Sequence, residues 1–130
     1  MKKLLVLPLL LLTACAVQHA KAPQIDAQTA VRLNLASQVD QANRDYKTFF
    51  TDVGMAERSG QLTAPDVAAL NVAGNQLKGV IEKANALEKT YAQNYDAGLP
   101  AQIAALVIQA TQIYTSMYTQ RAQFLAKGAK

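Results

Sequence analysis

The chain has one cysteine, Cys15, one histidine, His19, and no tryptophan. A lone cysteine excludes an intramolecular disulfide and a thiolate metal cluster. A lone histidine, with no His-x3-His or Glu-x-x-His spacing, leaves transition metals without a ligand set. Ser37, Ser59 and Ser116 consequently have no base to activate them. Glycine-rich phosphate loops are missing as well, because Gly74 and Gly79 interrupt a helical pattern instead of opening one. No segment alternates apolar and polar residues as a strand does. These absences remove most catalytic chemistry, so no enzyme activity and no cofactor are expected. Charge is also thin: 13 basic residues stand against 9 acidic ones, and none lies between Asp96 and Arg121.

What is present begins with Met1-Lys2-Lys3, followed by an apolar run from Leu4 to Leu12 and the small residues Thr13 and Ala14 before Cys15. A short positive segment, an apolar core and small residues before a cut describe a secretory signal. The run is too short for a bilayer, which takes about 20 apolar residues. Leu12-Thr13-Ala14-Cys15 resembles the lipobox of bacterial lipoproteins. That resemblance covers about the first sixteen residues. It implies cleavage before Cys15, a diacylglyceryl group on its thiol, and acylation (palmitate, typically) of the new amine. Two or more chains hold a protein stably, at about 0.8 kcal/mol per buried CH2. Ala16, where the inner-membrane signal would be Asp, implies sorting to the outer membrane. The expected organisation is a signal peptide over 1–14, a lipid-anchored tether over 15–25 and one folded domain over 26–130. Loss of Lys2 and Lys3 lowers the net charge from +4 to +2, too little to argue for nucleic acid as a partner. In an oxidising compartment, without disulfides, the domain must rest on its core.

The folded part reads as all-α. Leu35, Val39, Ala42, Tyr46, Phe49, Val53 and Ala56 are spaced four, three, four, three, four, three, which puts one apolar stripe on a first helix from Asp26. Gly60 offers a left-handed stop. Thr63 and Asp66 stand at capping-box spacing, with Leu62 and Val67 at the positions of a hydrophobic staple. Leu70, Leu77, Ala84 and Tyr91 recur every seven residues, with Ala73, Val80 and Leu87 between them, a heptad seam on a second helix. Gly74 and Gly79 within it suggest close approach of a bulky neighbour, with a kink or hinge as the alternative. Gly98 and Pro100 mark a stop and a new start. A third helix carries Ile103, Val107, Ala110, Tyr114, Met117 and Phe124, and frays from Lys127. Three helices with short loops predict an antiparallel up-down-up three-helix bundle. Counting around the loops puts Tyr46, Leu77 and Tyr118 in one layer and Phe50, Leu70 and Phe124 in another.

Residues 103–108 are apolar around the whole helix circumference, and one core face cannot bury all six. Either the other helices wrap a wide stripe, or Ile108 with Ala101, Ala104 and Ala105 forms a second apolar face, an interface for self-association, a partner protein or lipid. Glutamines 102, 109, 112 and 120 argue against a third helix within the membrane. His19 reads as a solvated tether residue. Asp40, Asp45, Asp52, Glu57 and Asp66 read as solubilising charges, with Arg44 an i,i+4 partner for Asp40. The folded part resembles small helical proteins of bacterial and prophage genomes around Arg58-Ser59-Gly60-Gln61-Leu62-Thr63. Lys130 resembles the terminal lysine that joins the major outer-membrane lipoprotein to peptidoglycan, although a solvated terminus is the plainer reading. The functional expectation is a non-enzymatic, lipid-anchored envelope protein. It would contact membrane lipid through Cys15 and bind an envelope protein or itself. The alternative is a carrier or sensor of a small apolar ligand between the helices, which needs a cavity of about 300 Å³.

Overall fold

The computed structural model describes residues 26–128, and they form three helices: α1 (Ala27–Arg58), α2 (Ala64–Asn94) and α3 (Leu99–Gly128). Expectations placed on Cys15, His19 and Lys130 lie outside the described residues. Among the described residues there is no strand, and no helix is long and apolar enough to cross a membrane. The three helices pack on one another, α3 on α2 most extensively.

Local chemistry sets each boundary. Asp26 caps α1, its carboxylate accepting from the Thr29 N–H at 2.8 Å and the Thr29 hydroxyl at 2.9 Å. Gly60, at φ 72°, ends the helix in the left-handed region, and the Gln61 N–H donates back to the Ala56 carbonyl at 2.9 Å. The capping box of α2 forms in both directions: the Asp66 N–H donates to the Thr63 hydroxyl, and the Thr63 N–H to the Asp66 carboxylate. These hydrogen bonds favour the charged carboxylates and hold Asp26 and Asp66 below their usual range, with the backbone N–H of Thr29 the largest cause for Asp26 and the Thr63 hydroxyl the largest for Asp66.

The second turn differs from the expectation. α2 stops at Asn94, and Tyr95, not Gly98, takes the left-handed conformation at φ 52°. The reason lies in two side-chain caps. Asn94 Oδ1 accepts from the Asp96 N–H, and Asp96 Oδ1 from the Gly98 N–H, so the chain turns three residues before the glycine. The Tyr95 ring meets Tyr91 edge-on at 5.5 Å. At the far end α3 stays helical through Gly128, beyond the expected fraying point at Lys127.

Phe50 lies over Gly74, and Gly128 comes close to the Gln61 carbonyl, which fixes the up-down-up order. Every member of the α1 stripe is buried or half-buried. Of the α2 seam Leu70, Leu77, Ala84 and Tyr91 are buried and Ala73, Val80 and Leu87 half-buried, and Gly74 and Ile81 are buried besides. The core has two clusters. The larger centres on Phe49, Val53, Leu70, Leu77, Ile81 and Met117; the smaller joins Leu35, Val39, Ala84, Tyr91, Leu99 and Ile103.

Two packing expectations need correction. Gly74 does admit a bulky neighbour, Phe50, but Gly79 is exposed, with nothing within 4 Å of where a Cβ would stand. Beside Leu77 the third helix contributes Ala110, Thr111 and Tyr114, while Tyr118, one turn further on, is 39% exposed and rests on Phe49 at 5.2 Å. Counting around the second loop is thus off by about one turn of α3. Phe50, Leu70 and Phe124 do belong to one cluster.

Candidate functional site

Of the apolar run 103–108, Ile103 is fully buried, Leu106 and Val107 pack half-buried against the smaller cluster, and Ile108 is 59% exposed. The run is therefore split between core and solvent. Ala101 and Ala105 are exposed beside Ile108, and Ala104 is half-buried. At 100° per residue Ile108 stands opposite the buried positions Leu99, Ala110 and Met117, on the outer face of α3.

That face continues beyond the apolar run. Thr111, Thr115 and Thr119 follow at i,i+4 spacing, and all three are exposed. Each hydroxyl donates to the carbonyl one turn back: Thr111 to Val107 at 2.9 Å, Thr115 to Thr111 at 2.9 Å and Thr119 to Thr115 at 3.0 Å. Their donors are thus satisfied within the helix. The face is consequently less polar than its composition suggests. Glutamines 112 and 123 border a shallow trough along it.

Charge is distributed unevenly around it. Lys2, Lys3, Lys21 and Lys130 lie outside residues 26–128, so the bundle keeps 9 of the 13 basic residues against all 9 acidic ones and is neutral. All of these charges except Asp26, Asp96, Arg121 and Lys127 stand on α1 or α2. The Arg44–Asp40 pair at 2.8 Å forms as expected, and its exposed ends place it among solubilising charges.

Between α1 and α3 the structure brings together Asp45, Asp52, Tyr114 and Tyr118. The Tyr114 and Tyr118 rings lie 4.9 Å apart, both against Phe49. Burial, then the neighbouring Tyr118 and the nearby negative charges, push the Tyr114 phenol far above its ordinary value. It stays protonated and has no basic or nucleophilic use at neutral pH. No group of three or more His, Cys, Asp or Glu able to hold a metal ion occurs among the described residues. The crevice where Ala42, Leu77, Ala110 and Tyr114 meet holds about 20 Å³, far less than the roughly 300 Å³ of a ligand pocket.

Compared with known protein families, curated proteins and solved structures, the chain has no match.

Proposed function

We propose that the chain is a lipoprotein of the bacterial outer membrane that works by binding another protein through the outer face of α3, without catalysis. The observation that carries this reading is that face itself: uncharged from Ala97 to Gln120, with Ile108 exposed and the threonine hydroxyls turned inward. Burying it against a partner desolvates no ion, whereas burying an unpaired charge is costly. The anchor is supported by the lipobox Leu12-Thr13-Ala14-Cys15, and the absence of catalysis by a bundle sequence without histidine or cysteine.

Two experiments test the two halves separately. Labelled palmitate should enter the wild-type chain and not Cys15→Ser, which should accumulate as precursor; label in the variant would end the lipoprotein reading. Ile108→Lys should leave the helical circular dichroism intact and reduce the protein recovered with the chain from detergent-solubilised envelopes. If recovery is unchanged, α3 is not the binding face.

A further inference from the structure

We propose that the anchored bundle meets the lipid surface end-on, through the α2–α3 turn at Tyr95. This rests on the lipoprotein reading above and adds the part of the fold that touches lipid. Chain length gives the first argument. Residues 16–25 separate Cys15 from Asp26, and fully extended they bridge at most about 40 Å. Asp26 caps the end of α1 that lies beside the α2–α3 turn, since Leu35, Tyr91 and Leu99 share one cluster. The opposite turn, at Gly60, is about 46 Å away along the 31 residues of α2. An upright bundle therefore cannot stand on its Gly60 end. The Tyr95 end and the flanks are left.

The two ends differ in chemistry. The far turn exposes Ser59, Gly60 and Gln61, and its Leu62 is buried. The near end exposes apolar surface instead: Tyr95 is 36% exposed, and Val31 in the first turns of α1 is 42% exposed. A tyrosine, with an apolar ring and a polar hydroxyl, suits the boundary between water and acyl chains. The turn is also ready to lose water. The Asp96 N–H donates to Asn94, and the Gly98 and Leu99 N–H groups donate to Asp96. Approach to lipid strands none of these donors. Within about two turns of this end, Asp26, Glu88 and Asp96 stand against Arg32 and Lys89. With no positive surplus, the contact is apolar and does not need anionic lipid. The flanks suit lipid less, because α1 and α2 carry nearly all the charges and α3 carries glutamines 102, 109 and 112. Standing on Tyr95 leaves the outer face of α3 clear of the lipid for its partner.

The chain has no tryptophan, so a single one reports depth. Tyr95→Trp, Val31→Trp, Ile108→Trp and Val72→Trp are made one at a time in the full lipidated chain. Each is reconstituted in phosphatidylcholine vesicles with and without brominated acyl chains. Ile108 lies about 14 Å along α3 from Leu99, and Val72 about 33 Å along α2 from Asn94. Bromolipid should quench Tyr95→Trp several-fold more than Ile108→Trp or Val72→Trp, with Val31→Trp also above those two. Added salt should leave the difference unchanged. Quenching of Ile108→Trp equal to that of Tyr95→Trp would lay α3 on the lipid and overturn the inference. Absence of quenching at every position would hold the bundle off the surface and overturn it too. Palmitate labelling of each variant separates the two readings. A chain without label fails as a lipoprotein and takes the inference with it, whereas a labelled chain with Tyr95→Trp and Val31→Trp unquenched refutes the end-on stance alone.

Discussion

Gly74→Ala and Gly79→Ala make the same chemical change five residues apart on α2, and the structure requires them to move stability in opposite directions. Replacing glycine by alanine inside an exposed helix gains about 1 kcal/mol, because glycine loses more backbone freedom on folding. Gly79 is exposed with open space at its Cβ position, so it should realise that gain. Gly74 is buried, and a Cβ there would stand 2.6 Å from Cε2 of Phe50 and closer still to Cζ. The Phe50 ring cannot yield freely, since Tyr46 and Phe49 hold it at centroid distances of 4.9 and 5.3 Å. Overpacking of this kind costs about 1–3 kcal/mol, which leaves a net loss of up to about 2 kcal/mol after the helix gain. In a bundle of about 100 residues, 1 kcal/mol moves Tm by about 4 °C. Gly79→Ala should therefore melt about 4 °C higher than wild type, and Gly74→Ala up to about 8 °C lower, followed by far-UV circular dichroism. A Gly74→Ala chain that melts at or above Gly79→Ala would refute the contact with Phe50. Phe50→Leu provides the cross-check: it should relieve part of the Gly74→Ala loss, with a coupling of at least about 0.5 kcal/mol, as for residues in contact.

Leu77→Ala should cost about 2–5 kcal/mol in denaturant unfolding, because Leu77 is 1% exposed at the centre of the larger cluster; a loss under about 1 kcal/mol would remove Leu77 from the core. Thr63→Ala should lose about 1 kcal/mol through the α2 cap, read as a lower urea midpoint at unchanged slope. The raised Tyr114 phenol makes a stability contribution that is complete below its ordinary value of 10.0 and is lost as pH rises toward the native one. Wild type should therefore destabilise more steeply above about pH 10 than Tyr114→Phe, and parallel curves for the two would contradict the burial of that hydroxyl. Asp66 has the opposite sign: its contribution is complete above the ordinary 3.8 and is lost as pH falls below it, so Asp66→Asn should flatten the acid limb of the unfolding curve.

How legible each feature was follows from how local its cause is. The stripe from Leu35 to Ala56 and the Thr63–Asp66 box depend on residues within one or two turns, and both stand in the structure as read. The burial of Gly74 and Ile81 does not. A heptad seam describes one contact line, but each helix of a three-helix bundle faces two neighbours, and position 74 is buried because Phe50 on α1 reaches it. Gly74 flanks the seam residues Ala73 and Leu77 whereas Gly79 points away from them, a difference of helical phase that the pairing of the two glycines overlooked. The left-handed turn fell on Tyr95 because Asn94 and Asp96 supplied side-chain acceptors, a preference weaker in sequence than a glycine. Loop counting set Tyr118 beside Leu77 where Tyr114 stands, because the count assumes a loop geometry that the Asn94–Gly98 turn does not have.

The outer face of α3 was legible as an absence of charge, and the structure explains why such a face persists in water. A neutral bundle must remain soluble on the charges it has, and nearly all of them stand on α1 and α2. Those two surfaces cannot be covered without stripping water from ions such as Asp40 and Arg44 or Lys78 and Glu82, whose surface pairing returns little. On α3 glutamines remain hydrated, and the threonine hydroxyls are already bonded to their own helix, so covering them leaves no donor stranded. Ile108, with the exposed Ala101 and Ala105 beside it, adds apolar area to this face. On the function proposed above, hydrated charge and recognition fall on different helices, so a change on one is expected to leave the other intact.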